Sequence, residues 1–200
     1  MQILFKQKYK EMESRFLDFM NEYETVLEKF KNSSFDTLKN ITQCLLDCFN
    51  MGGKLILIGN GGSAADCQHI SGEMVGRYRK NRIPLPAITL TTDTSVMTCI
   101  GNDYDYETVF SRQIEAIGNE HDILWAFSTS GSSPNILKAV KTAKKQNIKI
   151  IGFTGICNSE LEELSDICLC VNTKRTNHAQ EIHQLAYHFI CEEVDNEFSD

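Results

Sequence analysis

The chain has 200 residues, 42% of them hydrophobic, and a formal net charge of −7. That length suits one domain with a substantial buried core, and the apolar runs are too short to cross a bilayer. A phosphate-backbone reader carries a cationic block; none stands out here, so neither direct nucleic-acid binding nor a membrane is expected.

The first residues, MQILFKQKYKEMESRF, are polar and mixed in charge. They lack the pattern of a secretory signal, and the cytoplasm is the expected location. The eight cysteines include no CxxC pair. In that compartment they are expected to be reduced and to pack as small apolar side chains, rather than forming disulfides or a cysteine-rich metal site.

Residues 5–50 read as two helices. Phe16, Phe19, Met20, Tyr23, Val26, Leu27 and Phe30 recur with a helical period, NSSFDT interrupts, and Leu38, Ile41, Leu45, Leu46 and Phe49 resume it. NMGG ends the second helix with the glycines expected beyond a C-terminus. From residue 51 the pattern alternates. KLILI reads as a strand, 64–79 as a helix, PAITL as a strand, 93–101 and 106–118 as helices, and DILWAF as a strand. Residues 134–146 follow as a helix, IKIIGF as a strand, 159–164 as a short helix, ICLCV as a last strand and 178–197 as the final helix. Such alternation predicts a three-layer α/β/α domain spanning 1–200, with a parallel sheet covered on both faces. Residues 1–50 would serve packing and oligomerisation, and 51–200 would form the core.

Ligands of open parallel sheets bind beyond the carboxyl ends of the strands, and two loops there have suitable chemistry. GNGGS, residues 59–63, has glycines that permit close backbone approach and leave N–H groups facing an anion. STSGSSPN, residues 128–135, offers several hydroxyls ahead of a helix, with Ser133 at the cap and Pro134 at the first helical position. The first loop lacks the lysine of a nucleotide-binding P-loop and is not GxGxxG. A monophosphate held by neutral donors suits both. Each loop taken alone is also readable as an ordinary capped turn.

The segments GNGGSAADCQH, LTTDTSVMTCIGNDYDYETVFSRQIEAIG, STSGSSPNILKAVKTAK and QEIHQLAYH together resemble the sugar-isomerase (SIS) fold, and within it the phosphoheptose isomerase branch. The resemblance runs from about Gly53 to the end of the chain. It implies a five-stranded parallel sheet, a homotetramer with active sites at subunit boundaries, and a phosphorylated seven-carbon sugar as partner.

His69 and Glu73 stand at i and i+4, about 40° apart around a helix axis, and Gln180, Gln184 and His188 repeat that spacing. Moving a proton between adjacent carbons through an enediol needs a base, an acid and stabilisation of an oxyanion. The resemblance implies Glu73 as base and His188 as acid, the latter also assisting ring opening. It further implies that His69, Glu73, Gln180 and His188 bind one Zn²⁺ per subunit. The predicted substrate contacts are Asn60, Gly61, Gly62, Glu73, Asn102, Asp103, Ser128, Thr129, Ser130, Ser133 and Gln180, with Arg77 a further anion contact. Judged singly, His69 with Glu73 is a solvated helix pair, His188 and His183 are helix-packing residues, Arg77 is a surface residue, and His121 belongs to a loop.

The chain departs from the branch in KRTNHA before Gln180 and in GICNSELEEL, which lacks a glycine-rich turn. A non-catalytic SIS scaffold that binds the replication initiator protein is the alternative in another class, and another phosphosugar isomerase the alternative in the same one. The scaffold relative lacks the glutamate and the final histidine, both present here.

Overall fold

The computed structural model describes residues 2–199, with side chains from residue 7 onward. In chain order the elements are α1 (Gln2–Ser33), α2 (Phe35–Asn50), β1 (Leu55–Gly59), α3 (Gly62–Val75), β2 (Ala87–Thr89), α4 (Thr94–Asp103), a 3₁₀ turn (Tyr106–Thr108), α5 (Ser111–Ile117), β3 (Ile123–Ser128), α6 (Pro134–Lys145), β4 (Lys149–Thr154), α7 (Glu160–Leu164), β5 (Ile167–Cys170) and α8 (Thr176–Phe198). The five strands form one parallel sheet in the order β2-β1-β3-β4-β5. This is the predicted three-layer architecture.

Every residue of β1 and β3 is buried, as strands must be when helices cover both faces of a parallel sheet. Alternation along the strands sorts their side chains into two cores. Leu55, Leu57, Trp125, Phe127, Ile151 and Phe153 face a core shared with α2, α3 and α8. Ile56, Ile58, Leu124, Ala126 and Ile150 face an aliphatic core beneath α5, α6 and α7. Of the leading helices, α2 covers the sheet as expected, whereas α1 joins through its second half, where Phe19 and Tyr23 pack on His178 and Val26 packs with Val171 and Ile182. Nearer its start, Met12, Phe16 and Leu17 remain more than half exposed.

Two expected helices are shorter than their sequence pattern. The segment 106–118 divides because Lys138 Nζ bonds the Thr108 hydroxyl at 2.9 Å and Thr108 donates to Asp105. That ties a tight turn to α6, and Val109 and Phe110 enter the core before α5 begins. The segment 64–79 stops at Val75 because Arg82 takes the carbonyls of Glu73 at 2.6 Å and Met74 at 2.8 Å. Those carbonyls are among the acceptors a helix leaves unpaired at its C-terminus.

The expectation that all cysteines are reduced is corrected. Cys44, Cys48, Cys67 and Cys191 are buried thiols as anticipated, but Cys157 and Cys170 form a disulfide with Cα atoms 5.5 Å apart. Strands β4 and β5 pair in register with Thr154 opposite Cys170. The chain leaving β4 therefore turns back over the end of β5 and brings the sulfurs together, within ordinary disulfide reach.

Candidate active site

Helices α3 and α8 pack side by side and bring three of the predicted residues into one cluster. His69 Nε2 lies 3.0 Å from Glu73 Oε1, and the His69 and His188 rings are 5.0 Å apart. His188 is stacked on Tyr78 and lies edge-on to Tyr187. Burial lowers the His188 pKa and the neighbouring His69 lowers it further, with Glu73 pulling the other way. A neutral imidazole, able to take or give a proton through either nitrogen, is thereby favoured at neutral pH.

A second layer orients the first. The Tyr187 hydroxyl is 3.2 Å from His69 Nδ1 and 3.4 Å from Asp66 Oδ1. Burial raises the Asp66 pKa, and polar contact with Gln180 and Tyr187 opposes that rise. Asp66 and Tyr187 were not singled out from sequence. Asp66 stands one helical turn before His69, which is the signal that could have found it. Arg82 is another unanticipated member. Buried with Asp195 at an Nε–Oδ1 distance of 2.8 Å, it holds the backbone carbonyl of Glu73 itself.

Gln180 meets the first loop. A Cβ on Gly62 would come within 2.5 Å of its amide, so a larger residue there would push the Gln180 side chain off the loop. Gly61, at φ 56°, turns the chain from β1 into α3. Asn60 and Asn135 exchange two amide hydrogen bonds of 2.9 Å, which locks the GNGGS loop to the helix that follows the serine loop. In the latter, Ser128 Oγ lies 3.0 Å from Ser133 Oγ and 3.4 Å from Ser130 Oγ. Pro134 occupies the first turn of α6, and Ser133 makes no side-chain bond to the helix it caps, so its hydroxyl faces the loop. The Thr129 carbonyl accepts from Gly155 N. Gly61, Gly62, Ser128, Thr129, Ser130 and Ser133 thus lie on two loops joined through Asn60.

Asn102 and Asp103 sit apart from this cluster, at the end of α4. Asn102 donates to Asp103 at 2.8 Å, and Cys99 donates to its other oxygen. Arg77 is exposed beyond α3 and bonds the Arg79 carbonyl. His183 is wholly buried against Phe127 and Phe153, His178 packs on Phe19 and Tyr23, and His121 is an exposed loop residue. A cleft of about 540 Å³ opens beside His188, lined by Phe35, Leu38, Tyr78 and Phe189 among others. A larger one, about 1120 Å³, lies elsewhere, between α1 and the end of β5. Its lining holds none of the predicted catalytic groups.

Among the described residues, one trio of His, Cys, Asp or Glu has its ligand atoms all within 4.8 Å of one another. It is Cys157, Glu162 and Cys170, not the predicted metal set, whose donors are spread more widely.

A parallel sheet with two anion-suited loops beyond adjacent strands and an acid–base cluster on flanking helices defines an SIS domain, and the SIS-domain signature matches residues 18–155. The phosphoheptose isomerase of Burkholderia pseudomallei (strain K96243) is 49% identical over 155 residues, 78% of this chain and 79% of that one. Phosphoheptose isomerase 1 of Campylobacter jejuni (serotype O:2) is 47% identical over 161 residues, covering 80% and 87%. The solved phosphoheptose isomerase of Neisseria gonorrhoeae superposes with a TM-score of 0.87 at 35% identity, covering 92% of this chain and 99% of that one. The chain belongs to the phosphoheptose isomerase family of SIS-domain proteins.

Proposed function

We propose that this protein interconverts D-sedoheptulose 7-phosphate and D-glycero-D-manno-heptose 7-phosphate, supplying heptose for bacterial lipopolysaccharide or capsule. The observation that carries this reading is the meeting of Glu73, His69 and His188 on two packed helices in a chain nearly half identical to phosphoheptose isomerases. The serine loop and GNGGS hold the phosphate through hydroxyls and backbone N–H groups, helped by the positive end of the α6 dipole. Glu73 removes the proton from C1 of the open-chain ketose. His188, kept neutral by burial, moves a proton between the two oxygens of the resulting enediol, and reprotonation at C2 gives the aldose. His188 also assists ring opening. Asn102, Asp103 and Gln180 bind sugar hydroxyls, and Arg77 meets the anion across a subunit boundary.

His69, Glu73, Gln180 and His188 suit zinc in kind: two imidazoles, a carboxylate and an amide oxygen. Tyr187 at His69 Nδ1 is an orienting partner of the sort metal-bound histidines keep. The ion, when bound, polarises the substrate oxygens. A tetrameric assembly accounts for the exposed apolar side chains along α1 and for the apolar cleft beside His188.

The test is incubation of purified protein with sedoheptulose 7-phosphate, following the aldose, beside Glu73→Gln and His188→Ala. Both variants are expected to assemble normally and to lose roughly 10²–10⁴-fold in kcat. A wild type inert with this substrate that binds the replication initiator tightly overturns the proposal in favour of a scaffold.

A further inference from the structure

We propose that Cys157, Cys170 and Glu162 form a binding site for a thiophilic divalent cation of the zinc class, open when the two thiols are reduced and closed when they are joined. The reading is independent of the isomerase chemistry. It starts from placement: the three donor atoms lie within 4.8 Å of one another and belong to three different segments. Cys157 leaves β4 on a turn whose next residue, Asn158, is left-handed at φ 55°. Glu162 comes from the first turn of α7, and Cys170 ends β5. Two thiolates and a carboxylate are a sound donor set for a thiophilic ion, with a fourth position left for water.

The distances suit exchange between the two states. Sulfurs sharing a tetrahedral zinc are about 3.8 Å apart at ordinary Zn–S lengths. The Cα separation of 5.5 Å allows that spacing by side-chain rotation, without moving the strands. Glu162 is anchored for the task, because one carboxylate oxygen accepts from Asn158 N at 2.5 Å. Among the described residues no Lys, Arg or His pairs with it, whereas nearby Glu160 is matched by Lys141 at 2.7 Å. A half-buried carboxylate facing two sulfurs without a cation is the feature an ion completes. Access exists, since Cys170 lines the cleft of about 1120 Å³ beside α1.

The redox step balances with a dithiol as reductant. It gives two electrons and two protons to the Cys157–Cys170 bond, leaves as a cyclic disulfide and frees two thiols. Ion binding then releases both thiol protons as the sulfurs coordinate.

Cobalt(II) is the probe, because a sulfur-to-cobalt charge-transfer band in the near ultraviolet reports thiolate ligands and the His69–Glu73–Gln180–His188 set has none. Protein reduced with a dithiol and desalted without oxygen should develop the band with one equivalent bound at two sulfurs, and the oxidised protein should not. Cys157→Ser with Cys170→Ser should abolish it, Cys99→Ser with Cys168→Ser should keep it, and Glu162→Gln should weaken binding about tenfold. In unmodified protein, zinc should slow alkylation of Cys157 and Cys170 as read by peptide mass spectrometry, which needs no variant to fold. Absence of the band in reduced wild type, its survival in the Cys157→Ser/Cys170→Ser protein, or equal alkylation with and without zinc overturns the proposal.

Discussion

Beneath α5 and α6 the sheet presents Ile56, Ile58, Leu124, Ala126 and Ile150 to other aliphatic side chains. Beneath α2, α3 and α8 it presents Trp125, Phe127 and Phe153 to helices that also bury Asp66, His183 and Asp195. The first face is held by apolar packing that tolerates small errors of position. The second carries buried polar groups, each costly unless partnered, and it carries the proposed chemistry. The acid–base groups thus lie on one face, while the serine loop at the head of α6 belongs to the other, and substitutions within the two cores should differ in kind.

The largest effect is expected at Asp195. It accepts from the backbone of Arg79 at 2.6 Å and Lys80 at 2.9 Å and from Arg82 Nε. Burial pulls its pKa up, but these donors outweigh it and hold the carboxyl below its ordinary value. Asp195→Ala strands a buried guanidinium, and denaturant titration should show a loss of about 3–5 kcal/mol. Because Arg82 holds the carbonyl of Glu73, turnover should fall with it.

His183 comes next. Burial drives its pKa down to about 4, opposed by a polar contact with the Thr154 backbone that falls short of a full hydrogen bond. The unfolded chain takes up this proton near pH 6.5 and the folded protein only near 4. Stability present above pH 6.5 is therefore lost as pH falls towards 4, on the order of 3 kcal/mol from this group. Stability curves across that interval should be shallower by this amount in His183→Leu; an unchanged slope would mean the ring is not neutral in the folded protein.

Tyr187→Phe removes the hydroxyl shared by Asp66 and His69 and should cost about 1–3 kcal/mol, with kcat reduced more than KM. The smallest effect belongs to the aliphatic face. Ile150→Val, in that core, should cost about 0.5–1.5 kcal/mol and leave kcat unchanged, and a fall in its turnover would break the proposed contrast.

The same division governs what could be read from sequence. KLILI, DILWAF and IKIIGF are apolar because both faces of their strands are covered, so the sheet was legible. His69, Glu73, Gln180 and His188 repeat with helical spacing and were legible as two sets. What escaped depends on which distant segments meet. Arg82 and Asp195 are an arginine in a loop and an acid on a helix until α3 and α8 are placed together. The Cys157–Cys170 pair requires knowing that β5 lies beside β4. The break in 106–118 arises from Lys138, thirty residues onward, which no local periodicity records.

The contact between Gly62 and Gln180 bears on how the molecule is made. Gln180 belongs to α8, far along the chain from the turn it rests against, so this contact forms only once α8 has been synthesised. Until α8 is in place, the GNGGS turn lacks its Gln180 contact and Trp125, Phe127 and Phe153 are covered only by α2 and α3. A chain stopped before α8 would lack His188 and leave part of an aromatic core uncovered, a species for chaperones rather than a complete site.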